Sequence, residues 1–223
     1  TSVREQMVHW RDIFDHAFSE GLFSLATFPA IGTDGGLLHI EAPVRLAWEG
    51  ELITAGQFLP WVNRLEMSRM LDQQVVQLAL QKIEETGQPV SVNLSVAAVV
   101  EPFFAEWISE QLFVHADAAE KLWMELAEPM AFRHLSGFKL LCSRVKEYGA
   151  KIGIEHMGHQ LAALGELHDV GLDYLKVDAN FVRDINENTA NQNLLGNLCT
   201  VGHSIGVIVI AEGVRSDEEW ETL

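Results

Sequence analysis

Asn93, Glu125, Glu128, Glu155, Lys176, Asp178 and Glu212 share a placement: each lies at or just past the C-terminal end of a short apolar run that reads as a strand. One polar residue at such a position is ordinary, because loops begin where strands end. Carboxylates, an amide and an ammonium recurring there on successive strands are the groups of a binding or catalytic centre. In a barrel of parallel strands, that rim is where such centres are built. The chain holds 15 Lys and Arg against 32 Asp and Glu, a net charge of −17. This argues against binding a nucleic-acid polymer, which needs many cations on many phosphates. A small anion stays admissible if two or three local cations, or a metal, overcome the protein's own field within one pocket.

The elements that must position these groups follow from periodicity. Residues 4–20 set Val8, Ile13, Phe14, Ala17 and Phe18 at helical spacing before Gly21. Residues 22–28 and 37–46 read as extended runs about the turn at 33–36, an antiparallel hairpin. Beyond it, expected helices at 66–86, 102–112, 131–148, 160–170 and 189–204 alternate with expected strands at 90–94, 121–126, 151–155, 174–178 and 207–211. Alternation of this kind makes a parallel sheet. Without a Gly-rich phosphate loop, a barrel is favoured over a doubly wound sheet. At 223 residues and 48% hydrophobic content, one domain suffices. Ser216 should cap a last helix with an acidic first turn at Asp217, Glu218 and Glu219.

Cys142 and Cys199 show no metal-ligand spacing and suggest no disulfide framework, which fits a reducing cytoplasm. No apolar run is long enough to cross a bilayer, and no signal peptide opens the chain. His156 reads first as a pocket histidine that only hydrogen-bonds, with metal ligation or proton transfer as the alternative. The other histidines, His39 among them, default to the surface. Trp48, Trp61, Trp107 and Trp123 read as packing residues, Trp123 as structural or facing outward against a helix.

The motifs resemble, in order and spacing, those of the EAL family. Glu41-Ala42-Pro43-Val44-Arg45 is similar to its Glu-Ala-Leu-x-Arg signature, Val92-Asn93-Leu94-Ser95 to Val-Asn-Leu-Ser, and Glu125-Leu126-Ala127-Glu128 to Glu-x-Thr-Glu. Lys176-Val177-Asp178-Ala179-Asn180-Phe181-Val182 resembles Lys-Ile-Asp-x-x-Phe-Val, and Ala211-Glu212-Gly213-Val214 resembles Ala-Glu-Gly-Val. The resemblance implies an α/β fold, a (β/α) TIM-like barrel of the EAL type with an antiparallel first strand, its last strand missing from this chain. It implies cyclic di-GMP as ligand and, in active members, hydrolysis to the linear dinucleotide pGpG with two Mg²⁺ or Mn²⁺ ions. Carried over by position, Glu41, Asn93, Glu125 and Glu155 would be metal ligands. Lys176 and Glu212 would stand near the attacking water, Glu128 would brace the loop after the fifth barrel strand, and Arg45 would face a phosphate. Asp178 and Arg215 join Arg45, Glu41, Asn93 and Glu212 as expected ligand-binding residues.

The departures decide the expected function. Glu155-His156-Met157-Gly158 stands where the family has Asp-Asp-Phe-Gly, so one carboxylate is a methylene too long and the next is an imidazole. A close pair of hard cations needs that negative charge. The segment Gly158-His159-Gln160-Leu161-Ala162 lacks the family's glycine, tyrosine and serine loop, Arg215 replaces a glutamate, Phe28 replaces a glutamine, and Pro43 replaces the signature leucine. Pro43 has no amide donor and needs an irregular or unpaired stretch of strand. Arg215 could balance a phosphate without metal. The expectation is a degenerate, LapD-like receptor of cyclic di-GMP without enzyme activity, one domain over 1–223 excised from a larger signalling protein. That places it as a cytoplasmic module of a membrane-anchored protein, with flanking or partner signalling domains, and is compatible with a homodimer. The alternatives are an active phosphodiesterase with an altered Mg²⁺ or Mn²⁺ site, and a protein-interaction domain that takes no ligand.

Overall fold

In the computed structural model, which describes residues 2–223, the chain opens with helix α1 (Val3–Glu20). Ser2 caps it in a reciprocal capping box with Glu5, and Gly21 ends it at φ 67°, a left-handed conformation that glycine adopts without a steric penalty. Strands β1 (Phe23–Leu25) and β2 (Phe28–Ile31) precede the turn, and β3 (Leu37–Glu41), β4 (Val44–Trp48) and β5 (Glu51–Thr54) follow it. Each expected extended run is therefore two strands that belong to different sheets. The break at Ala42 and Pro43 gives the proline an unpaired position, as its missing donor requires.

Helices α2 (Ala55–Arg64) and α3 (Ser68–Thr86) lead to β6 (Val90–Asn93). Helices α4 (Ala97–Val100), α5 (Phe104–Val114) and α6 (Ala116–Ala119) lead to β7 (Leu122–Ala127), and α7 (Glu128–Arg133) and α8 (Leu135–Lys146) lead to β8 (Lys151–Met157). A 3-10 helix at Leu161–Leu167 precedes β9 (Tyr174–Val177). The chain closes with α9 (Ala179–Val182), a short 3-10 turn, α10 (Thr189–Ser204), β10 (Ile208–Ala211) and α11 (Asp217–Thr222). Ser216 caps α11 as expected, its hydroxyl accepting from the Glu219 amide.

Seven strands form one curled sheet in the order β10-β9-β8-β7-β6-β3-β2. Six of them are parallel, and β2 pairs antiparallel with β3, so the antiparallel first strand and the TIM-like curl are both present. Strands β2 and β10 are its edges. The strands β1, β4 and β5 make a separate antiparallel sheet. Outward-facing Val90, Val92, Leu122, Met124, Leu126, Ile152 and Ile154 are fully buried beneath the helices, which is why the strands read as apolar runs. Two expectations need correction. The segment at 160–170 is a 3-10 helix rather than an α-helix, and 131–148 is two helices broken at His134.

Candidate functional site

Side chains alternate across a strand, so the residues two positions before each expected site residue point into the barrel with it. This builds two inner layers. The upper layer, at the C-terminal mouth, holds Glu41, Asn93, Glu125, Glu155 and Lys176. The lower layer holds His39, Ser91, Trp123, Gly153 and Tyr174. Cross-strand register places Asn93 beside Glu125, Glu125 beside Gly153, and Gly153 beside Tyr174.

The lower layer is an aromatic and polar plug. His39 lies 4.5 Å from Trp123 between ring centroids, and Trp123 lies 4.9 Å from Tyr174. Trp123 thus faces inward rather than against a helix, and His39 is fully buried rather than at the surface. Trp123 is the packing residue expected, but its outward alternative and the surface default for His39 failed for one reason: the alternation that turned Glu41 and Glu125 inward also turns in the residues two before them. Gly153 makes room for the plug, since a Cβ there would fall 2.4 Å from the Tyr174 ring. The Tyr174 hydroxyl donates to the Met124 carbonyl or to Glu125 Oε2, each at 3.0 Å.

Above the plug the charges pair closely. Lys176 Nζ is 2.5 Å from Glu41 Oε1 and 2.7 Å from Glu125 Oε1. Burial alone would lower the Lys176 pKa, but the two carboxylates outweigh it and keep the ammonium charged. Burial would raise Glu41, yet the hydrogen bond with His39 and the Lys176 charge hold it below the usual carboxylate range. Glu125 is pushed up by burial against the pull of Lys176.

At the rim, the β8–β9 ladder shifts register between Ile154 and Met157, and His156 occupies that irregularity at φ 55°. A non-glycine residue in the left-handed region is uncommon and often marks a functional site. Its Nδ1 lies 3.1 Å from Glu212 Oε2 and 3.7 Å from Asp178 Oδ2, and its Nε2 lies 3.6 Å from Glu155 Oε2. The Glu212 contact is an ion pair without hydrogen-bond alignment, for Glu212 Oε2 is buried with no donor. The closeness of Glu212, opposed by partial burial and reinforced by Glu155 and Asp178, raises the His156 pKa to about 9. The ring is therefore an imidazolium at neutral pH, among three carboxylates. Glu128 accepts from the amides of Gly158, His159 and Gln160 at 3.2, 3.2 and 2.8 Å, tying the loop beyond β8 to the start of α7.

These groups open into a cavity of about 710 Å³, within the usual range for small-molecule sites. Glu41, Asn93, Glu125, Glu155, Lys176 and Glu212 line it together, with Arg215, Pro43 and Phe28 at its wall. Arg45 is not among the lining residues; its guanidinium donates to the Val44 carbonyl at 3.0 Å. Asp178 stands behind the rim, between His156 and His159.

The carboxylates that the resemblance assigns to a pair of Mg²⁺ or Mn²⁺ ions face protein cations in this structure. Such ions need converging, unpaired oxygens. Here Glu41 and Glu125 are engaged by Lys176, and Glu155, Asp178 and Glu212 surround His156. Among the described residues no cluster of three or more His, Cys, Asp or Glu side chains is arranged to hold a metal.

Comparison with known proteins adds the lineage. The family model described as the EAL domain matches residues 11–223. The RNase E specificity factor CsrD of Escherichia coli is 24% identical over 97% of the chain, and the cyclic di-GMP phosphodiesterase PdeF of the same organism is 27% identical over 91%. The chain spans 34% and 28% of their lengths. A Vibrio cholerae LapD structure, an S helix-GGDEF-EAL chain bound to c-di-GMP, superposes with a TM-score of 0.88 at 23% identity, covering 97% of this chain and 53% of that one. Among the described residues no helix is long and apolar enough to cross a membrane.

Proposed function

This chain belongs to the EAL domain family, and from that premise we propose that it is a receptor domain for cyclic di-GMP whose mouth carries protein cations where a hydrolase would carry metal ions. The observation behind this reading is the His156 imidazolium seated among Glu155, Asp178 and Glu212. With Lys176 in contact with both Glu41 and Glu125, and His156 with Glu155, each carboxylate that would ligate a metal already has a cation beside it. A dinucleotide then meets a fixed, partly neutralised mouth, with Arg215 at the wall offering a planar guanidinium to a phosphate.

The LapD structure bound to c-di-GMP supports this ligand for the fold, and the greater length of the relatives supports a domain that reports occupancy to flanking signalling domains. The name of PdeF keeps hydrolysis as the competing outcome. Incubation with cyclic di-GMP and Mn²⁺, followed by chromatography for pGpG, separates the two. The receptor reading expects no product above the protein-free control, and repeated turnover contradicts it. In parallel, cyclic di-GMP should raise the melting temperature, because a ligand that binds only the folded state stabilises it. An unchanged melting temperature at saturating ligand would favour a protein-interaction domain.

A further inference from the structure

We propose that His39 is a positioning residue that locks Glu41 onto Lys176 and so withholds the Glu41 carboxylate from divalent cations. The proposal deepens the receptor reading, and it rests on that reading only for the identity of the site.

His39 sits on β3 two residues before Glu41, fully buried among the rings of the plug. Its Nε2 lies 2.5 Å from Glu41 Oε1, the same oxygen that contacts Lys176 Nζ. Lys176 continues to Glu125 Oε1 at 2.7 Å, and Glu125 Oε2 lies 3.0 Å from the Tyr174 hydroxyl and 3.3 Å from Ser91 Oγ. A single hydrogen-bonded chain therefore runs from His39 through Glu41, Lys176 and Glu125 to the plug. His39 Nδ1 is buried with no partner. An orphaned buried nitrogen destabilises the fold and calls for a reason. Among the contacts of this ring, the bond from Nε2 to Glu41 is the one that an apolar residue of the same bulk could not make.

The consequence concerns metal affinity. For Glu41 to turn toward a divalent ion, its oxygen must leave both the imidazole and the ammonium, stranding His39 without a polar partner and Lys176 with one. Such stranding in a low-dielectric interior is strongly unfavourable. Removing the histidine donor removes half of that restraint while leaving the carboxylate in place.

The test is Mn²⁺ binding without nucleotide, read by calorimetry and by the electron paramagnetic resonance signal of bound ion. Wild type should bind Mn²⁺ no tighter than about millimolar, the weak end of oxygen-ligand sites. His39→Leu, which keeps bulk and loses the donor, should bind roughly tenfold tighter or better, the scale on which neighbours of metal ligands act. The gain should vanish in the His39→Leu/Glu41→Gln double variant. His39→Gln, whose amide can still donate to Glu41, should stay at the wild-type value; a purely structural role would not distinguish the two replacements. Equal Mn²⁺ affinity in folded His39→Leu and wild type, or a gain that survives the double variant, overturns the proposal. If His39→Leu does not fold, His39→Met, which also lacks the donor, takes its place in the comparison, and a micromolar Mn²⁺ site in wild type overturns the proposal by itself. Failure of cyclic di-GMP to bind would remove the receptor reading and leave the Mn²⁺ result standing.

Discussion

Asp72 on α3 is almost fully buried, and its two carboxylate oxygens accept from the Ser95 amide at 3.1 Å and from its hydroxyl at 2.7 Å. Ser95 lies two residues beyond Asn93, so this contact fixes the loop that leaves the mouth. Burial pushes the Asp72 pKa up to about 7, against the downward pull of the Ser95 donors. The folded state therefore holds its proton more tightly than the unfolded chain, where an aspartate titrates near 4. Its contribution to stability is complete below pH ~4 and is lost as pH rises to about 7. Asp72→Asn should accordingly gain stability relative to wild type across that window, by a few kcal/mol at most. Denaturant unfolding at pH 4.5 and 7.5, about the ends of the window, checks it, and a constant difference between the two proteins would contradict the assignment.

Among the elements, the loop beyond β8 depends most on one side chain. Glu128 is buried and accepts three consecutive amides, at Gly158, His159 and Gln160. Glu128→Ala should cost roughly 3 kcal/mol, since charge-assisted bonds are lost and donors are left unpaired. It should also speed hydrogen exchange at those amides more than in β8, and uniform exchange across both would place the loop's anchor elsewhere. The motif that carries Glu128 was legible in the sequence. So were the strands bearing Asn93, Glu125 and Lys176, because their outward neighbours are continuously apolar. The region holding β5 and α2 was not legible: β5 is four residues long and mostly exposed, and α2 carries Pro60 in its interior, so neither shows a clean period. His39 was hidden by the usual preference of histidine for the surface, although its offset of two from Glu41 carried the signal. That His156 would lie in a register shift, ringed by carboxylates, depends on contacts between β8, β9 and β10 that no local pattern encodes.

For the molecule as a whole, the net charge of −17 opposes an anionic ligand at long range, so recognition depends on what the mouth concentrates locally. In the proposed receptor reading that positive charge comes from within the chain: Lys176 and the His156 imidazolium offset part of the carboxylate charge around them, and Arg215 stands at the cavity wall. A metal-loaded hydrolase would take it from solution, and its affinity for the nucleotide would follow the ion. Calorimetric titration of the chain with cyclic di-GMP, once in EDTA and once in Mn²⁺, separates these accounts. Saturable binding in EDTA with a dissociation constant that Mn²⁺ leaves unchanged is the predicted result; binding that appears only when Mn²⁺ is present would contradict it.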